Sequence, residues 1–168
     1  VDVISNNLKK VAPQNAKLYT NNSNKLKNHI TALDKWIKSR IASIPSYQRT
    51  LITNNVQMGY YTTAYGLTYQ TAFLTINSSE DPNSPQLKPL VTNIRKTRVP
   101  SIFITNAANP QVVQSVAKQA NVRVSERSLF TNNLGAKGSE SDTYQKMMIA
   151  NTRTIVEGLG GTYLIFRI

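Results

Sequence analysis

An α/β fold is predicted, with a parallel four-stranded sheet flanked by helices and preceded by one long connecting helix. Three features of the sequence predict it. Between Leu18 and Ile44 apolar residues recur at three- and four-residue steps, the spacing of one helix face. After Pro45 the period changes, and short apolar runs ending in polar residues alternate with helical segments, the order that builds parallel strands joined by helices. The length, 168 residues, suits one ordinary domain or one lobe of a larger protein.

In chain order, Val3, Ile4, Leu8 and Val11 stand at helical spacing. Pro13 suits the first turn of a second helix, where no N–H is needed. Leu18, Leu26, Ile30, Leu33, Ile37, Ile41 and Ile44 form the stripe of that helix. About 30 residues at ~1.5 Å each make a rod of ~45 Å, and Pro45 ends it. Thr50-Leu51-Ile52-Thr53 is the short apolar run of a buried parallel strand, closed by Asn54-Asn55. Residues 57–65 are compact and aromatic, and Gly66 follows as a helix C-cap. Residues 68–76 read as a second strand, 77–86 as a loop, 87–98 as a basic helix and 101–105 as a third strand. Asn109-Pro110 opens a helix running to Ala120, with Val112, Val113, Val116 and Ala117 on its apolar face. A fourth strand lies within 122–130, a Gly-containing loop covers 131–138, and 141–159 form the last helix. The tail from Gly160 has the composition of an additional strand. The expected organisation is a long-helix region over 1–45, an α/β lobe over 46–160 and a tail over 161–168.

Composition narrows the class. Only 17% of residues are charged, and neutral polar residues take their place: 18 Asn and 17 Thr. With 40% hydrophobic residues, the chain is neither a highly charged disordered segment nor a collagen-like one. No apolar run reaches the ~18 residues of a membrane-spanning helix. Cysteine is absent, which excludes thiol catalysis, Cys-based zinc sites and disulfides. Polar residues follow at once after Val1-Asp2-Val3-Ile4, so no signal peptide is expected, and the start reads as a processed or internal position. Twenty Lys and Arg against eight acids give +12. That balance suits polyanionic partners. The charges are nevertheless scattered, the densest groups being Lys9-Lys10, Lys25-Leu-Lys27 and Arg95-Lys96-Thr-Arg98. Scattering favours a generally basic surface over a specific nucleic-acid site.

In parallel sheets ligands bind at the carboxyl ends of the strands. Those ends are Asn54-Asn55, Thr105-Asn106 and Thr131-Asn132-Asn133, all small, polar and uncharged. The lone His29 lies in the long helix with no acid or nucleophile beside it in sequence, and reads as an exposed helical histidine. Asp142 follows Ser139 and Ser141 and suits a capping role on the last helix. Glu80-Asp81 reads as a solvated loop pair. No spacing of acids supports general acid–base chemistry, and Gly135-Ala-Lys-Gly138 lacks phosphate-loop spacing. The tyrosines Tyr60, Tyr61, Tyr65 and Tyr69 read as packing a helix on the sheet rather than as a stacking platform.

A set of strings in order carries a resemblance: Asn15-Ala-Lys-Leu-Tyr19, Leu33-Asp34-Lys-Trp36, Ile52-Thr53-Asn-Asn55 leading to Gly59-Tyr60-Tyr61 and Ala64-Tyr65-Gly66-Leu67, Ile102-Phe103-Ile104 with Asn109-Pro110, Leu129-Phe130-Thr131-Asn132 with Leu134-Gly135, and Asp142-Thr143-Tyr144, Met147-Met148, Asn151 and Ile155-Val156-Glu157-Gly158-Leu159. Over residues ~2–160 the chain resembles the periplasmic or lipoprotein zinc/manganese-binding proteins of ABC importers, which include adhesin-type surface lipoproteins. The resemblance implies two α/β lobes joined by a rigid helix, with one metal ion in the cleft between them. It implies an extracytoplasmic binding protein, not an enzyme, that delivers Zn²⁺ or Mn²⁺ to an ABC permease in the membrane. This chain corresponds to the helix and the C-terminal lobe; the N-terminal lobe, which would supply two histidines, is missing from it.

The departures fall on the ligands. By resemblance Asn55 stands at a His or Glu ligand position, Asn132 at an Asp ligand position, and Thr105 at a cleft position usually held by Glu. All three are neutral here, and zinc and manganese sites want imidazole or carboxylate. The expectations are therefore weak metal affinity or none at these positions. The alternative function is an adhesin-type surface protein that uses its basic face on an anionic polymer or matrix ligand.

Overall fold

The computed structural model describes residues 1–54, 56–71, 84–105 and 110–167. The chain divides into two compact units, Val1–Trp36 with Phe166–Ile168, and Ile37–Ile165.

In the first unit, α1 (Asp2–Val11) is followed by a 3₁₀ turn at Pro13–Asn15 and by α2 (Ala16–Ala42). Proline opens the turn, as its fixed φ and missing N–H suit a helix start. α1 is tied along the start of α2 by Lys27 Nζ, which donates to Asp2 Oδ1 at 2.7 Å, and by Ser5 Oγ, which donates to the Tyr19 carbonyl at 3.4 Å. The Trp36 and Phe166 rings meet at 5.5 Å. The apolar stripe behaves differently along α2. Leu18, Leu26 and Ile30 are exposed, whereas Leu33 is 2% exposed and Ile37, Ile41 and Ile44 are buried. On α1, Val3, Ile4, Leu8 and Val11 are all exposed.

The second unit carries β1 (Thr50–Thr53), α3 (Gly59–Tyr65), β2 (Thr68–Thr71), α4 (Lys88–Thr97), β3 (Ser101–Ile102), α5 (Pro110–Ala120), β4 (Arg123–Val124) and α6 (Tyr144–Gly158). Gly66 follows α3 at φ 73°, the left-handed C-cap that glycine adopts freely. Two parallel ladders form: β1 on β2 with Leu51 opposite Tyr69, and β3 on β4 with Ser101 opposite Arg123. The expected single four-stranded sheet is thus described as two two-stranded parallel ladders. Among the described residues they meet at a parallel bridge, Thr53 to Phe103, where the Phe103 N–H donates to the Ile52 carbonyl at 2.9 Å. The reason is length, since β3 and β4 have two residues each and leave room for little more than one bond across the seam. The second strand is described only to Thr71; residues 72–76, and the Glu80-Asp81 pair, lie outside the described residues.

Around the ladders Leu51, Ile52, Ile94, Ile102, Phe103, Val116, Leu129 and Ile155 are buried, together with Ile37 and Ile41 from α2. Burial on this scale, at ~25 cal/mol per Å² of apolar surface, is what holds ladders too short to hold themselves. The tail is not a strand over residues 161–167. Its backbone is bonded to side chains instead: the Thr162 N–H donates to Ser43 Oγ at 2.9 Å and Arg40 Nη1 donates to the Thr162 carbonyl at 3.0 Å.

Close packing beneath α6 gives a test. A Cβ on Gly158 would come within 2.6 Å of the buried Phe103 ring, while one on Gly59 meets nothing within 4 Å. Gly158→Ala is expected to lower unfolding free energy by about 1–3 kcal/mol. Gly59→Ala is expected to leave it unchanged or raise it by up to ~1 kcal/mol. Urea midpoints of the two variants check the pair.

Candidate functional site

The carboxyl ends of β1 and β3 and the chain after β4 are gathered by side chains that hold backbone. Asn54, directly after β1, accepts through Oδ1 from the Thr105 N–H at 2.7 Å and from Thr105 Oγ1 at 3.2 Å. Thr105 is 4% exposed and lies in a parallel bridge with Leu129, whose N–H donates to the Ile104 carbonyl at 3.0 Å. Beyond it, Asn151 on α6 grips Phe130 on both sides: Oδ1 accepts from the Phe130 N–H at 2.9 Å, and Nδ2 donates to the Phe130 carbonyl at 2.8 Å. A side-chain amide presents a donor and an acceptor side by side on separate atoms, and so matches one residue's backbone edge. Asn151 is itself buried, so both bonds form away from water.

A second layer supports the first. The Tyr69 hydroxyl lies 3.2 Å from Thr53 Oγ1 and accepts from the Met58 N–H at 3.3 Å, tying the end of β1 to the start of α3. Tyr61 is buried at 2.8 Å from Thr152 Oγ1. Thr152 already donates to the Met148 carbonyl at 2.7 Å, so the tyrosine hydroxyl is the donor in that pair. Burial raises the Tyr61 pKa well above the ordinary tyrosine range, and the phenol stays protonated. Tyr61 also meets Tyr65 edge-on at 4.7 Å. Tyr60, in contrast, is 95% exposed, so the aromatic cluster packs α3 at Tyr61 and not at Tyr60.

The sequence-derived positions fare differently. Asn55 lies outside the described residues. Thr105 is brought to the strand ends, but its hydroxyl proton is committed to Asn54 and its side chain is buried. Asn132 stands exposed, three residues past Leu129 and two past the gripped Phe130. Among the described residues no group of three or more His, Cys, Asp or Glu could hold a metal ion. His29 is half-buried on α2. The sequence places Asn54 at a polar strand end and Asn151 among the strings that carry the resemblance, but gives neither the backbone-holding role seen here. The available signal was an Asn inside the buried face of α6, between Ala150 and Thr152.

The loop after Asn132 is closed at its far end. The Gly135 N–H donates to the Ser141 carbonyl at 2.9 Å. Asp142 does not cap α6, as the sequence suggested; Thr143 does, its Oγ1 accepting from the Lys146 N–H at 3.3 Å. Asp142 reaches back instead, Oδ2 accepting from the Gly138 N–H at 2.8 Å and Oδ1 pairing with Lys146 Nζ at 2.8 Å. The Lys146 ammonium, then the Gly138 N–H, hold its carboxyl below the usual carboxylate range.

The family model described as ZnuA, zinc-uptake complex component A periplasmic, matches residues 1–158. The chain belongs to this family. Relatives include the metal ABC transporter substrate-binding lipoprotein ScbA of Streptococcus cristatus, 31% identical over 157 residues, which are 93% of this chain and 50% of the relative. The manganese ABC transporter substrate-binding lipoprotein scaA of Streptococcus gordonii is 32% identical over 148 residues, 88% of this chain and 47% of the relative. The chain therefore spans about half the length of the curated relatives it matches. Among solved structures, the periplasmic zinc binding protein TroA from Treponema pallidum shares the fold at a TM-score of 0.76 with 22% identity, over 94% of this chain and 58% of that one.

Two outcomes follow from the site. Asn151→Ala strands the Phe130 N–H and carbonyl, and is expected to cost about 1–3 kcal/mol and to speed exchange of the Phe130 amide, read by denaturation and hydrogen exchange. Because Asp142 has a lowered pKa, its contribution is complete above the unfolded carboxylate value and is lost as pH falls through the lower folded one. The urea midpoint should therefore fall below about pH 4, and Asp142→Asn should remove part of that slope.

Proposed function

We propose that the chain is the helix and C-terminal lobe of an extracytoplasmic solute-binding component of a zinc or manganese ABC importer. The observation that supports this most directly is the family match over residues 1–158. The protein would act by capture and release with a membrane permease, with Zn²⁺ or Mn²⁺ as cargo, and not by catalysis. Relatives named as lipoproteins and as periplasmic proteins support an extracytoplasmic place. The Thr53–Phe103 bridge supports reading the two ladders as one sheet in the order β2-β1-β3-β4. The exposed apolar residues of α1 and early α2 suit cover by a second lobe of the family fold.

The donor set of this lobe does not suit a transition metal. Position 132 offers an exposed amide, position 55 is an amide by sequence, and Thr105 has its proton engaged. Neutral oxygens bring no charge to offset the dehydration of a divalent ion. The adhesin or polyanion alternative keeps the +12 charge in its favour, but those charges are scattered along the sequence.

Titration of the chain with Zn²⁺ and Mn²⁺ tests the reading. The chain as it stands should show no saturable binding below about 100 μM, and Asn55→Glu with Asn132→Asp should tighten binding by at least about tenfold. Tight stoichiometric binding by the unaltered chain overturns the claim of a neutralised site. No gain in the double variant overturns the placement of the ligand positions.

A further inference from the structure

Alongside β3 and β4, between the strands and the end of α6, lies a cavity of about 190 Å³. It is bounded by the first residues of the two strands, Ser101 and Arg123, which are register partners. The chain after β4 adds Glu126 and Arg127, and the last turns of α6 add Thr154 and Glu157. Ser101 is 3% exposed and Thr154 4% exposed. Neither hydroxyl has a hydrogen-bond partner among the described residues, and both line the cavity. Both hydroxyls open onto the cavity and not into sealed core, so their free hydrogen-bonding capacity is available to a ligand or to water.

The charges around them are not evenly matched. Glu157 is shared by two cations, accepting from Arg127 Nη1 at 2.7 Å and from Arg153 Nε at 3.1 Å. Arg123 is exposed at the rim, and its guanidinium has no partner among the described residues. The single excess acid at the rim is Glu126, so the balance stays positive. The carbonyls of Ile155, Val156 and Glu157 at the end of α6 are taken by the N–H groups of Leu159, Gly161 and Gly160, which mutes the negative end of that helix. The volume is several times a water's share of ~30 Å³ and below the ~300 Å³ of drug-sized sites. Hydroxyl donors beside a planar guanidinium fork match an oxyanion.

We propose that this cavity binds a small oxyanion, a phosphate or carboxylate group, held by the Ser101 and Thr154 hydroxyls and closed over by Arg123. The site stands apart from the strand-end site and does not depend on the metal reading. Calorimetric titration of the whole chain with inorganic phosphate and, separately, with acetate tests it. Saturable binding of either probe, weakened about tenfold or more by Arg123→Ala and lessened by Ser101→Ala, but unmoved by Lys10→Ala, is the expected result. Which probe saturates tells phosphate from carboxylate. Arg123 is exposed, so its removal leaves the core intact, and a thermal melt of the variant checks this. Failure of both probes to saturate by about 10 mM, or equal weakening by Arg123→Ala and Lys10→Ala, overturns the proposal.

Discussion

Where a parallel strand runs out, its backbone N–H and carbonyl groups lose their ladder partners, and a buried one left unpaired costs about 1–3 kcal/mol. In this protein the strands are two to four residues long, so the requirement arises almost at once. Asn54 answers it between β1 and β3, and Asn151 answers it after β4. Both act by the same chemistry, an amide placed against another segment's backbone. Without them the ladders would have few bonds to hold their carboxyl ends together, and those ends are where a parallel sheet presents its ligand site.

This separates the asparagines into kinds. Asn54 and Asn151 are structural: Asn54 acts through its acceptor oxygen alone, whereas an acid at 151 would oppose the Phe130 carbonyl and lose a donor. Asn132 is exposed on a loop that Asn151 positions but does not touch. On the reading proposed above, the backbone around position 132 is positioned by residues other than the one that would supply a ligand. Scaffold and donor set are encoded by different residues, and only the first is required for folding.

Much of the fold was legible because helix periodicity is a local property. α1, α2, α4 and α5 fall within a few residues of the expected positions, and Gly66 ends α3 as its freedom at positive φ suggests. Burial was less legible. The stripe on α2 has one spacing throughout, yet Leu18 is exposed and Ile37 is not, because spacing records which residues share a face and not what covers it. The tail has the composition of a strand, but Ser43 and Arg40 take its backbone bonds at Thr162, contacts ~120 residues apart in sequence that no local pattern can announce. Thr143 and Asp142 are both good caps. The choice between them was made by Gly138 and Lys146, which engage the aspartate elsewhere. The site itself was legible as a place, the polar strand ends, but not in the amides that build it.

The excess of twelve positive charges bears on the proposed metal cargo less than it first suggests. Charges farther off than ~8–10 Å are largely screened at physiological salt, so a basic surface slows the approach of a divalent cation without deciding whether it is held. That decision belongs to atoms in direct contact, where a carboxylate supplies charge and an amide does not. If Asn132 stands at a ligand position, as proposed above, raising ionic strength should do little to rescue metal binding there, whereas one carboxylate changes the donor set itself. In the cavity between β4 and the end of α6 the same reasoning runs with the opposite sign: Arg123 and Arg127 border a recess lined by the Ser101 and Thr154 hydroxyls, where direct contact again outweighs net charge for the anion proposed above.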